Sequence, residues 1–454
     1  MSEREFDVVV LGAGPAGEVC AGRLGDGGLS VALVERELVG GECSFYACMP
    51  SKALLRPGEL LAEVRRVPGV REAVEAGLDV PAVLQRRDEI IHDLDDSGML
   101  PWLEKHCVEL VREQGRLDGE RRVLAGDQTL VARRAVVVAT GTSALVPPID
   151  GLRDAAPWTN REATTAKETP ERLVVLGGGV VGVEMAQAWR SLGSQVTLIE
   201  AADRLIAREE PFASEQVEQA LREAGVEVRV GVKAGAVRGS GGALEVDLED
   251  GSTVSGDELL VAIGRRPNTT EIGLDTVGLE PGKPIDVDDS MRAKEWLYAI
   301  GDVNGRALLT HMGKYQARVA ADAILGNEAR ATQDGAGSPR VIFTNPQVAA
   351  VGLTLDAARQ AGLNVRAVDV PTQGNAGASF YGRDDSAGTS RLVIDEDRRV
   401  VVGATFTGPE VADFLHAATI AVVGEVPLER LAHAVPSFPT RSEVWLYLLE
   451  ELGL

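Results

Sequence analysis

Cysteine, histidine and lysine are scarce in this chain, and a long apolar run is missing. Its 454 residues include 4 cysteines and 5 histidines, and only 7 of the 46 basic residues are lysine. A membrane-spanning helix needs roughly 18 or more consecutive apolar residues, and no segment supplies them. Residues 1–11 run straight into a strand pattern, without the basic and apolar regions of a secretory leader. Four cysteines are too few for a secreted disulfide scaffold of this length. The expected location is the cytoplasm. Positive charge is lacking too: net charge is −23 and the pI is near 4.7. Nucleic acid and anionic membranes demand clustered cations, so neither is expected as a partner. No metal site is expected either.

What is present begins with size. A chain of 454 residues exceeds one hydrophobic core, which implies two to four domains. The 44% hydrophobic and 25% charged content is that of a globular protein. The 51 glycines suit several sites where backbone must approach a nucleotide closely.

Two segments are built alike. Phe6–Leu11, apolar except for Asp7, is of the kind that forms a buried parallel strand. GAGPAG follows, with Gly12, Gly14 and Gly17, and then a helical pattern; a second strand, 31–34, ends in Glu35. Later, 172–176 leads into GGGVVG, with Gly177, Gly179 and Gly182, and the strand 195–199 ends in Glu200. In both, the first glycine and the acid are 23 positions apart. Glycines admit a pyrophosphate, the helix N-terminus stabilises its charge, and the acid bonds ribose hydroxyls. Two dinucleotide sites are therefore expected. Glu200 would accept from the 2′-hydroxyl of NAD and repel the 2′-phosphate of NADP. Ala201, Ala202 and Asp203 offer no cation, although Arg204 and Arg208 follow. NAD is expected over NADP.

Eight residues beyond Glu35 comes the first cysteine of GGECSFYACMPSK, which contains Gly41, Cys43, Cys48 and Lys52. Regular helix would not pair these cysteines. Five residues rotate the chain by about 500° and raise it about 7.5 Å, more than a disulfide tolerates. A distorted turn entering a helix is predicted. A close cysteine pair in a reducing compartment points to redox work. Cys20 and Cys107, in apolar-patterned segments, are expected to be inert core residues.

Between the two units, 135–141 reads as a strand ending in a tight turn at Thr140 and Gly141. Val261–Gly264 repeats the pattern, and 296–302 is a third strand with Asp302 at its carboxyl end, where α/β sheets place ligands. Residues 327–338 read as a linker. Past it, 391–407 alternates like strands, while 411–423 and 443–452 look helical.

Together these residues resemble the pyridine nucleotide–disulfide oxidoreductases, including dihydrolipoamide dehydrogenase, glutathione reductase and mercuric reductase. The resemblance covers nearly the whole chain through GAGPAG, GGECSFYACMPSK, ATG at 139–141, GGGVVGVE, AIGRRPN, AIGDV and FTNPQVAAVGLT. It implies an α/β fold with two Rossmann-like domains, for FAD and NAD(P), and a C-terminal α+β domain forming a homodimer. The implied FAD domain is split, over 1–148 and 271–335, around a nucleotide domain at 149–270; the dimerisation domain is 339–454. FAD would contact Gly12, Gly14, Gly17, Glu35, Gly41, Lys52, Gly115, Thr140, Gly141, Asp302 and His311. The nicotinamide cofactor would contact Gly177, Gly179, Gly182, Glu200 and Gly264. The resemblance makes Cys48 the sulfur beside the flavin, Cys43 the outer, exchanging one, and Glu184 the ion-pair partner of Lys52. Val180 stands where glutathione reductases carry a tyrosine.

Two departures matter. The family usually has threonine before its first cysteine, and here it is Glu42, which puts an FAD contact or the disulfide's potential in question. The family pattern His-Pro-Thr-x-Ser-Glu supplies a partner-subunit histidine as acid–base, oriented by the glutamate. This chain keeps Pro439, Thr440, Ser442 and Glu443 but has Phe438 in the place of the histidine. General acid–base catalysis is worth roughly 10²–10⁴-fold, so dithiol exchange should suffer. His433 lies close by, but Pro436 and Pro439 constrain the chain between; a solvent-facing histidine is the expected reading. Three functions follow: a reductase whose small-molecule acceptor (a quinone, metal ion or activated disulfide) needs no base; a dihydrolipoamide dehydrogenase working with an acyltransferase complex; and a non-catalytic redox sensor. The first is favoured. The chain ends Glu450–Leu454 without cysteine, which disfavours mercury.

Overall fold

The computed structural model describes residues 2–335, 337–382 and 386–454. Ala336, inside the linker expected at 327–338, lies outside them. The chain divides into two compact units. Unit one comprises residues 1–50, 87–145 and 265–335; unit two comprises 51–86, 146–264 and 336–454.

Unit one is organised by an eight-stranded sheet. β1 (Ser2–Leu11) lies between β2 (Val31–Val34) and the strand Gln128–Val138, parallel to both; Val108–Val111 and Leu297–Ala299 extend the sheet on either side. Side chains alternate faces along a strand, and the core shows it. Val8 and Val10 pack with Ala135, Val137, Cys20 and Leu24 on the face covered by α1 (Pro15–Asp26) and the helix Thr310–Ile324. Val9 and Leu11 pack with Val136, Val138 and Leu117 on the other. A strand buried on both faces must be apolar throughout, which is why Phe6–Leu11 reads as a nearly unbroken apolar run.

Among its described residues, unit two holds three sheets. A four-stranded parallel sheet runs in the order 227–229, 195–199, 172–176, 258–261. Leu173 and Val175 face a core around the fully buried Trp189, while Val174 and Leu176 face a three-stranded antiparallel sheet formed by 234–240, 243–248 and 253–256. The C-terminal part is a five-stranded antiparallel sheet, backed by the helices Leu415–Val423 and Val444–Glu451. The fold is α/β with an α+β C-terminal part.

One expectation fails. Cys20 is buried, but Cys107 is exposed. It sits at φ 55° in the turn between the helix Leu100–Lys105 and the strand Val108–Val111, so the apolar pattern around it belongs to its neighbours. Among the described residues, no helix is long and apolar enough to cross a membrane.

Candidate active site

Each glycine-rich turn is shaped by its glycines. Gly12 has φ 101°, and a Cβ there would lie 2.5 Å from the Ala139 carbonyl oxygen. A Cβ on Gly17 would lie 1.9 Å from the Gly12 oxygen, so the helix could not close on the turn. At Gly14 a Cβ would meet nothing within 4 Å. The first and third glycines bring strand and helix together, and the middle one leaves open space before the N-terminus of α1. That is the shape a pyrophosphate requires. Unit two repeats it: a Cβ on Gly177 (φ 107°) would lie 2.5 Å from the Ala262 oxygen, one on Gly182 would lie 1.8 Å from the Gly177 oxygen, and Gly179 again is open. Both sites fit a dinucleotide.

The acids do more than await a ribose. Glu35 accepts from Ala13 N (2.8 Å) and Glu37 N (2.7 Å). Glu200 accepts likewise from Gly178 N and from Ala202 N (2.6 Å). Each carboxylate braces its own glycine turn and keeps lone pairs for a ligand.

The thiol segment packs on the first cradle. Gly40 N donates to Ala13 O at 2.8 Å, and Gly41, at φ 57°, approaches so closely that its Cβ would lie 2.8 Å from Gly14 Cα. α2 (Gly41–Phe45) carries Cys43; the chain breaks at Tyr46 (φ −133°), and α3 (Cys48–Val64) begins at Cys48. The break brings the two thiols into hydrogen-bond contact. Cys43 is held far above the ordinary thiol range, first by its hydrogen bond to Cys48, then by burial and the charge of Cys48; Thr310 and Lys314 oppose this. The contact and the burial favour the thiol form of Cys43. Cys48 Sγ is 3.4 Å from Thr310 Oγ1, at the start of the helix Thr310–Ile324 that also carries His311 and Lys314. Thr310 and Lys314 were not expected from sequence, because nothing in the local pattern around 310 marks a thiol partner.

Elsewhere in unit one, Asp302 accepts from Thr142 Oγ1 at 2.9 Å, and burial raises its carboxyl above the usual range. Gly141 (φ 66°) makes the turn ahead of Thr142, and Thr140 Oγ1 donates to Asn268 O at 3.0 Å. Gly115 packs against the ends of β1 and β2, where a Cβ would lie 2.6 Å from Leu11 Cδ2. Glu42 is ion-paired with Arg265.

In unit two, Lys52 Nζ is 2.7 Å from Glu184 Oε2, and Glu184 Oε1 accepts from Phe343 N at 2.9 Å. The ammonium sits 4.7 Å from the Phe343 ring centroid, a cation–π contact. Phe343 is a third member of this group that the sequence did not suggest. Gly264 has φ 145°, and Val180, first residue of the helix Val180–Ser191, is exposed. In the C-terminal part Phe438 is 77% exposed and Val435 85%. Glu443 is buried, and its Oε2 has no hydrogen-bond partner among the described residues. His433 and His416 are exposed.

Two nucleotide cradles, a thiol pair packed on one of them and a separate C-terminal sheet define a nucleotide-dependent thiol oxidoreductase. Residues 6–322 match the family described as pyridine nucleotide-disulphide oxidoreductase, and 338–448 match the dimerisation domain of the same family. The chain belongs to that family and is an FAD- and NAD(P)H-dependent oxidoreductase. Dihydrolipoyl dehydrogenase 3 of Pseudomonas aeruginosa is 35% identical, over 96% of each chain. A dihydrolipoyl dehydrogenase of Chlamydia muridarum is 31% identical over 97% of this chain and 95% of its own. Mercuric reductase of Staphylococcus aureus is 28% identical over 97% of this chain and 81% of its own. Among solved structures, the HOCl-induced flavoprotein disulfide reductase RclA of Escherichia coli, as a Cu(II) complex, has the same fold. It superposes with a TM-score of 0.87 at 23% identity, over 98% of this chain and 99% of that one.

Proposed function

We propose that this enzyme passes electrons from NADH through FAD and the Cys43–Cys48 pair to a small acceptor that needs no histidine base: a quinone, a metal ion or an activated disulfide. Bound FAD and nicotinamide would supply the hydride chemistry. The chain's part is to bind and orient them, through Gly12, Gly14, Gly17, Glu35, Gly41, Gly115, Thr140, Gly141, Asp302 and His311 for FAD. Gly177, Gly179, Gly182, Glu200 and Gly264 would serve the nicotinamide, and Lys52 with Glu184 would present an ammonium to the flavin. In this reading 1–148 and 271–335 form the FAD domain, 149–270 the nucleotide domain and 339–454 the dimer interface.

The observation that carries the proposal is Phe438, an exposed phenyl ring in the position we assign to the family's base. Phenylalanine transfers no proton. The Cys48 contact and burial push the Cys43 thiol up, so without a base its thiolate, the attacking species in exchange, would be scarce. The unpartnered Oε2 of Glu443 fits a carboxylate whose imidazole has gone. Preference for NADH is supported by Glu200 and by Arg204, which is committed to Glu209 O, Ser214 Oγ and Ala207 O.

The test is NADH oxidation by the purified protein against lipoamide, glutathione disulfide, a benzoquinone and metal salts, side by side. Quinone or metal turnover should exceed lipoamide turnover by at least tenfold, and NADPH should be the poorer donor. Lipoamide reduction near 10² s⁻¹, high in the usual enzyme range, would overturn the reading in favour of a dihydrolipoyl dehydrogenase working with an acyltransferase complex. The 35% identity to a protein of that name keeps this alternative open. Absence of turnover with every acceptor would favour the redox sensor.

A further inference from the structure

We propose that Glu42 and Arg265 form a charge pair that sets the reduction equilibrium of the Cys43–Cys48 pair, both acting as positioning residues. The inference rests on the redox reading of that pair and adds a control to it.

Glu42 is the chain neighbour of Cys43 within α2, a helix of only five residues without a side-chain cap. So short a helix has no stability of its own. Its backbone is anchored by Gly40, Gly41 and the bond from Tyr46 N to Glu42 O. The side chain of Glu42 adds a tie to another element, Arg265. Arg265 is itself fixed: Nε donates to Thr142 Oγ1 at 2.7 Å, and Nη2 donates to Thr142 O at 2.7 Å. It stands in the antiparallel ribbon of Thr142–Ala144 with Arg265–Pro267. Thr142 in turn donates to Asp302 Oδ2. The cysteine turn is thus connected, through two charged side chains, to the carboxyl end of the eight-stranded sheet.

The electrostatics follow from the balance of the step. The disulfide gains two electrons, supplied by the reduced pyridine nucleotide, and one proton. The S–S bond breaks, Cys43 takes the proton as a thiol, and Cys48 carries the remaining charge as a thiolate. Reduction therefore adds one negative charge. Glu42, next to Cys43 in the chain, would oppose that charge and the Arg265 guanidinium would favour it; both also act on the Asp302 carboxyl, and Lys314 acts on Cys43. The side chains of Glu42 and Arg265 are only 21% and 23% exposed, so neither charge is fully screened, and as a pair they offset each other. Removing one partner should move the equilibrium in the direction of the other.

The experiment equilibrates full-length protein anaerobically in dithiothreitol buffers and reads the state of Cys43 and Cys48 by alkylation and mass spectrometry. Glu42→Gln, which leaves the cation, should favour reduction by about tenfold, ~30 mV for two electrons. Arg265→Gln should oppose it by about tenfold, again ~30 mV. The double variant should lie within threefold of wild type, as should Arg265→Lys, which keeps the charge and reports even where Arg265→Gln fails to fold. Two single variants within twofold of wild type, or shifted in the same direction, would overturn the charge pair. If wild-type Cys43 and Cys48 form no disulfide in any buffer, the redox reading itself has failed; a normal wild-type titration with unmoved variants sinks only this inference.

Discussion

The two nucleotide cradles form a natural experiment within one chain. Gly12 and Gly177 have φ 101° and 107°, the same close approaches recur at the third glycine, and both acids brace their turns through the same kind of backbone amide. Their surroundings differ. In unit one, Gly41 closes over Gly14 and brings Cys43 and Cys48 with it, while an acid, Glu18, follows the last glycine. In unit two the opening residue is an exposed Val180, the residue after the last glycine is the fully buried Val183, and Glu184 holds Lys52. The turn is set by steric contacts that depend on a few residues. The chemistry is set by what packs beside it.

The largest effect should come from breaking the turns one at a time. Gly17→Ala puts a methyl 1.9 Å from the Gly12 oxygen, and Gly182→Ala puts one 1.8 Å from the Gly177 oxygen. Both obstacles are backbone, which cannot rotate away. Gly17→Ala should yield protein with less than about a tenth of the normal flavin, and Gly182→Ala a yellow protein whose NADH affinity falls by about 100-fold, ~2.7 kcal/mol. Absorbance at the flavin band and nucleotide titration measure the two. Normal flavin content in Gly17→Ala would mean that the cradles are not assigned as we propose.

How much of this could be read in advance depends on sequence distance. Each cradle is a contiguous strand, turn, helix and strand, so glycine spacing and the terminal acid reveal it. The break between α2 and α3 was also legible, because two cysteines five positions apart cannot meet on regular helix. Thr310 lies 262 positions from Cys48, and Arg265 lies 223 from Glu42, so only the folded chain brings them together. Glu42 could be seen as a departure, but its partner could not. Cys107 misled because a hydrophobic neighbourhood in sequence says nothing about a turn at positive φ.

A moderate effect should follow from breaking the ion pair that belongs to unit two alone. Lys52→Met leaves Glu184, whose side chain is 4% exposed, with only Phe343 N as a donor among the described residues. Breaking a pair at a buried carboxylate should cost about 3 kcal/mol, discounted at the lysine end because Lys52 is 34% exposed. Glu184→Gln added to Lys52→Met should recover part of the loss, since it removes the stranded charge. Thermal unfolding of the three proteins checks the order. A double variant less stable than Lys52→Met would show that the carboxylate has a different main partner.

The smallest effect, and the sharpest contrast between the cradles, lies at the residue after the third glycine. Glu18 Oε1 is buried without a hydrogen-bond partner among the described residues. Burial pushes its carboxyl from 4.5 up to about 7; Glu35 adds to the rise and Lys314 opposes it. The folded state therefore holds a proton that the unfolded chain has already lost. Glu18's contribution to stability is full below about pH 4.5, falls as pH rises to about 7, and is level above. At 1.36 kcal/mol per pH unit the loss has a ceiling near 3 kcal/mol, which partial solvent access trims to about 2. Val183, at the equivalent place in unit two, can contribute nothing of the kind. Glu18→Gln should therefore remove a pH dependence that wild type shows between about pH 5 and about pH 7. Denaturant midpoints across that range should converge at the acid end and separate towards neutrality, with the variant the more stable. Parallel curves would mean that Glu18 is ionised throughout, and the two cradles would then differ in shape of side chain but not in charge.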